Sequence, residues 1–73
     1  MPLAKLLLTE RNKVRFQSLL NGRIFSLVWF RSFFDLVELE DDSERPFVKR
    51  CLYRGPDAEE VKRAIVKEVR DVQ

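Results

Sequence analysis

Histidine is absent from this 73-residue sequence, and with it the commonest general base at neutral pH. A Ser or Cys nucleophile would then need a Lys or carboxylate partner, and no spacing along the chain points to one. Cys51 is the single cysteine. It excludes an intrachain disulfide and, with no histidine beside it, the usual structural zinc set. Gly22 and Gly55 are the only glycines. Both sit in turn-like contexts, so there is no glycine-rich loop to cradle a phosphate. The carboxylates Glu38, Glu40, Asp41, Asp42 and Glu44 lack the alternation and central glycine of a calcium loop and read as a solvated run. Long apolar stretches are missing too. Ile24–Phe30 falls far short of the roughly 20 residues that span a bilayer. Pro2–Leu8 is short and soon broken by Glu10 and Arg11, unlike a signal peptide. These absences imply a soluble, cytoplasmic, non-enzymatic domain with no cofactor, metal or membrane partner. Cys51 reads as a small apolar strand residue in a reducing compartment. One domain of this length has a small core, so its stability comes from packing, aided or not by a partner.

What is abundant is charge, at 36% of residues, and it is segregated despite a net charge of only +2. Residues 1–31 carry +5, residues 32–44 carry −6, residues 45–54 carry +4 and residues 55–73 carry −1. An acidic connection thus divides a basic region. Fields of this kind steer partners without naming them.

The pattern along the chain predicts a small α+β domain. Its antiparallel sheet has three or four strands and packs on one C-terminal helix. Gly55-Pro56-Asp57 breaks the chain, Asp57 and Glu60 have capping-box spacing, and Ala58, Val61, Ile65, Val69 and Val72 recur on one helical face, giving a helix over 57–71. Glu59 and Arg63 are spaced as a surface pair. Asn21-Gly22 predicts a two-residue hairpin turn. That register sets Leu20 opposite Arg23, Ser18 opposite Phe25, Phe16 opposite Leu27 and Val14 opposite Trp29. The first strand then has one wet face and reads as edge-like, beside a second strand that is apolar on both faces. Phe47–Arg54 reads as a further strand. Ser32–Leu39 reads as strand in preference to a short helix, because aromatic and β-branched residues dominate it. Glu40–Arg45 reads as a loop. The N-terminal LAKLLL is open between a strand and a helical turn.

The aromatic-rich stretch LLNGRIFSLVWFRSFF divides in this register. Phe25, Leu27 and Trp29 join Phe16 and Val14 under the helix. Ile24, Val28 and Phe30 face the other way, beside Lys13, Arg15 and Gln17. That second face is either roofed by the N-terminal segment or used for a partner. Lys13, Arg15, Arg23, Ile24, Val28, Phe30, Arg31, Lys49 and Arg50 are therefore the candidate partner-binding residues. The alternative is a nucleic-acid-binding domain with a basic aromatic sheet face, in which Arg15, Arg23, Arg31, Lys49 and Arg50 contact phosphates. The chain is expected to be a monomer or a weak homo-oligomer.

In its compact, Arg-rich single-domain form, with MPLAKLLLTERNKVRFQ running into the hairpin and PDAEEVKRAIVKEVRDVQ at the end, the chain resembles small phage-encoded transcription regulators that bind host bacterial RNA polymerase. The resemblance assigns no residue a role. It implies a regulator that acts by binding a larger protein in the host cytoplasm, inhibiting initiation or promoting antitermination.

Overall fold

The computed structural model describes residues 2–72. Five strands, β1 (Ala4–Glu10), β2 (Lys13–Ser18), β3 (Ile24–Phe30), β4 (Phe33–Leu39) and β5 (Val48–Gly55), precede one helix, α1 (Ala58–Val69). The strands form a single antiparallel sheet in the order β1-β2-β3-β4-β5. The α+β class stands, with five strands instead of three or four. The additional strand is the N-terminal LAKLLL segment, which pairs with β2 from Ala4↔Ser18 to Glu10↔Lys13. Strand β2 is therefore interior and not an edge. Its wet-looking face is covered by means other than apolar residues, as described below.

The β2–β3 register differs from that predicted by two residues. Phe16 stands opposite Phe25 and Val14 opposite Leu27, joined by a five-residue loop over 19–23. Asn21-Gly22 does not make a two-residue turn because Asn21 is committed elsewhere. Its amide nitrogen donates to the carbonyls of Glu68 (2.9 Å) and Asp71 (2.8 Å), and its Oδ1 accepts from Arg23 N–H (2.9 Å). Ser18 Oγ accepts from the amides of Leu20 and Asn21 and donates to Val69 O at 2.7 Å. The loop thus satisfies carbonyls that the end of α1 would leave unpaired. Gly22 keeps its left-handed φ of 75°, where a side chain would be strained. The tight turns of the sheet lie elsewhere, at Arg11-Asn12 and at Arg31-Ser32, where Arg31 has φ 59°.

The start of α1 is held as its sequence predicts, with one substitution of partner. Asp57 Oδ1 accepts from the amides of Glu59 and Glu60. The reciprocal contact to Asp57 N–H comes from the Tyr53 hydroxyl (3.0 Å) and not from Glu60. Gly55 makes room for it, since a Cβ there would lie 2.8 Å from that hydroxyl. The helix buries Val61 and Val69 against Phe16, Phe25 and Leu36, with Val14, Leu27, Phe34, Ala64 and Ile65 packed around them. The rings of Phe16 and Phe25 meet at 5.4 Å with a 32° tilt. Ala58 and Val72, at the ends of the predicted stripe, are exposed. Trp29 is half-buried and lies outside this cluster. Glu59 pairs with Lys62 (3.5 Å) and not with Arg63. Cys51 lies on β5 as predicted, but exposed.

Candidate partner-binding face

A strand side chain alternates between the two faces of its sheet. Phe16, Phe25 and Leu36 fix the face under α1. Lys13, Arg15 and Gln17 of β2, Ile24, Ser26, Val28 and Phe30 of β3, and Phe33, Asp35, Val37 and Leu39 of β4 therefore occupy the other face. The N-terminal segment does not roof it. The β4–β5 connection does, over half its length. Arg15 Nη1 donates to Asp42 Oδ1 (2.9 Å) and to Ser43 O (2.7 Å). A loop between β4 and β5 reaches β2 only by crossing β3. Beneath it Arg15 is 6% exposed, Ser26 4% and Leu39 6%. Within the loop Ser43 N–H donates to Asp41 Oδ1 (3.0 Å). Bonding to Ser43 holds the Asp41 carboxyl below its ordinary range, first through the side chain and then through the backbone.

The other half of this face is open. Phe30 and Phe33 stand directly opposite one another across the β3–β4 hairpin, 66% and 42% exposed. Arg31 turns the chain between them. Val28 and Lys13 are register partners one row inward, and Asp35 and Arg54 continue that row. Arg54 pairs with Asp35 at 3.3 Å, and this contact raises its pKa. Trp29 N–H donates to Asn12 O (3.1 Å), which ties this hairpin end to the β1–β2 turn beside it. Of the predicted binding residues, Lys13, Val28, Phe30 and Arg31 are brought together here. Phe33 belongs with them. The sequence signal for it was the same alternation that placed Phe30, carried one strand further.

The remaining candidates have other places. Ile24 is half-buried on the loop-covered half. Arg15 is buried under the loop. Arg23, Lys49 and Arg50 converge on Glu38, on the helix side of the sheet. Glu38 is 2% exposed, and a carboxylate so buried must be paired. Arg23 grips it with two bonds (2.8 and 3.0 Å). Arg50 Nε lies 3.1 Å away and Lys49 Nζ 3.9 Å. Arg23 also pairs with Glu68 (2.6 Å) and Asp71 (3.2 Å) and lies over the Phe25 ring at 5.2 Å. The Arg23 bond pulls the Glu38 carboxyl below its ordinary range against the opposing effect of burial. Glu38 in turn raises the Arg23 pKa. The cluster locks the end of α1 to β4 through Arg23, with Lys49 and Arg50 about half exposed at its margin, and all three cations lie away from the open patch. In the sequence Glu38 reads as part of the solvated acidic run, and it is instead buried; its alternation with Phe34 and Leu36 was the signal that could have shown it inward-facing.

Among the described residues no group of three or more His, Cys, Asp and Glu is placed to hold a metal ion. Among the same residues no helix is long and apolar enough to cross a membrane. Comparison with protein-family models, curated proteins and solved structures finds no significant match to the chain.

Proposed function

We propose that this chain is a non-enzymatic binding module that docks on a larger protein through the open half of the sheet, with Phe30 and Phe33 as anchors. The observation that carries this reading is the exposed Phe30–Phe33 pair. Two adjacent phenylalanines in water are a cost to so small a domain, and desolvating them on a partner recovers it. Aromatic and Arg side chains dominate interface energetics, and Arg31 occupies the turn that joins the two phenylalanines. The resemblance to phage transcription regulators makes bacterial RNA polymerase the first candidate partner, with modulation of initiation or termination in the host cytoplasm as the outcome.

Single-stranded nucleic acid stacked on the same rings is the second reading, favoured by the Arg31 and Lys13 cations beside them. It is weaker because Asp35 engages Arg54 and Glu10 stands opposite Lys13. A backbone-tracking groove needs cations left free for phosphates.

The deciding experiment is co-elution with purified polymerase, for the parent and for a Phe30→Ser, Phe33→Ser double variant. The parent should co-elute and alter promoter activity. The double variant should bind at least about tenfold more weakly, a loss of about 1.4 kcal/mol, while melting close to the parent because both side chains are already exposed. A parent chain that neither co-elutes nor changes promoter activity removes polymerase as the partner. An oligonucleotide shift abolished by the same double variant would instead install the nucleic-acid reading.

A further inference from the structure

The buried guanidinium of Arg15 is only partly used. Both of its hydrogen bonds leave from Nη1, to Asp42 Oδ1 and Ser43 O. Its Nε is buried without a partner, although the side chain is only 7% exposed. A buried donor left unpaired is costly. Strong carboxylate recognition by arginine uses two parallel N–H bonds, and Asp42 makes only one. Asp42 is itself about half exposed. An open cleft of about 370 Å³ lies between the loop and β1–β2, lined by Leu7, Leu8, Glu10, Lys13 and Arg15 on the sheet side and by Asp42, Ser43 and Glu44 on the loop side, so that with the loop displaced two cations face one carboxylate. The loop supplies Glu40, Asp41, Asp42 and Glu44 to a face whose β2 row is Lys13 and Arg15.

We infer that the β4–β5 loop is an internal stand-in for an acidic partner segment. A carboxylate-bearing stretch of a partner protein displaces Asp42, takes Arg15 through the unused Nε edge, and sets apolar side chains against Leu7 and Leu8. Lys13 and Val28 are register partners, so the vacated cleft and the Phe30–Phe33 patch become one continuous surface. The inference rests on the protein-binding reading above and adds the chemistry of the partner. The loop also imposes a threshold, because a ligand must outcompete Asp42, and removing that competitor raises apparent affinity.

The test uses a nitroxide on Arg45→Cys in a Cys51→Ser background, with a ten-residue glutamate peptide as the probe. In the parent at low salt the label should be immobilised, and the peptide should release it. Asp42→Asn should bind the peptide about tenfold more tightly, and Arg15→Lys, which keeps the charge but loses the fork, should lose most of the binding. A label that stays immobilised at saturating peptide, or an Asp42→Asn affinity equal to the parent's, overturns the inference. Arg15 and Asp42 variants leave Phe30 and Phe33 intact, so this result and the polymerase test with the Phe30, Phe33 variant fail separately.

Discussion

At Glu38 burial and charge oppose each other, and three cations decide the balance. The carboxylate is nearly solvent-free, yet Arg23 keeps it ionised to a lower pH than an ordinary glutamate. Its folded-state pKa is therefore depressed relative to the unfolded value of about 4.3. The unfolded chain binds the extra proton first as pH falls, so the contribution is complete above that value and is lost as pH drops through the lower folded pKa. Glu38→Gln should flatten the stability profile below about pH 5. At neutral pH it should cost about 2 kcal/mol. That is below the 3–5 kcal/mol for breaking a buried pair, because Arg23 keeps Glu68 and Asp71. Urea melts at several pH values measure both effects. A parallel pH profile in the variant would mean that the acid sensitivity belongs to other carboxylates.

Among the elements, α1 was legible because three signals agree: the break at Gly55-Pro56, the Asp57 cap and the apolar stripe. Its faces are unequal in practice. Val61 is 3% exposed, whereas Ile65 is only half-buried. Val61→Asp should therefore abolish cooperative melting, since a carboxylate stranded in a small core exceeds its reserve. Ile65→Asp should lower the melting temperature without unfolding the chain at 25 °C. Melts unchanged from the parent in both variants would place both residues on a solvent face. The β2–β3 hairpin was legible in its faces but not in its register. A slip of two residues keeps every side chain on its own side, whereas a slip of one would have exchanged the faces. Phe16 and Phe25 were thus placed correctly in the core although Phe16 was given Leu27 as its partner. The register depended on where Asn21 bonds, and its acceptors lie 47 and 50 residues away. Local turn chemistry carries no trace of them. The loop over Arg15 was illegible for a related reason. Alternation marks which face a residue takes, but not which distant segment comes to cover it.

For the molecule as a whole, the segregated charges have been partly spent. The acidic loop neutralises Arg15, and Glu38 collects Arg23, Lys49 and Arg50. The basic groups beside the open patch, Arg31 and Lys13, are left mainly to influence encounter. Raising salt from about 50 to 500 mM should slow association with the partner severalfold and change dissociation little, as expected where charge steers and buried aromatics hold. Stopped-flow or surface-capture kinetics separate the two rates. A salt effect confined to dissociation would move the decisive contacts from Phe30 and Phe33 to an ion pair.

The bonds from Ser18 and Asn21 to the last turn of α1 also have a kinetic meaning. They join positions 51 and 47 residues apart. The loop between β2 and β3 therefore reaches its final shape only after the helix has been synthesised and has docked. Such closure adds a slow, long-range step to an otherwise local meander. It also couples the sheet to the helix, since losing α1 strips Ser18 Oγ and the Asn21 amide of their acceptors.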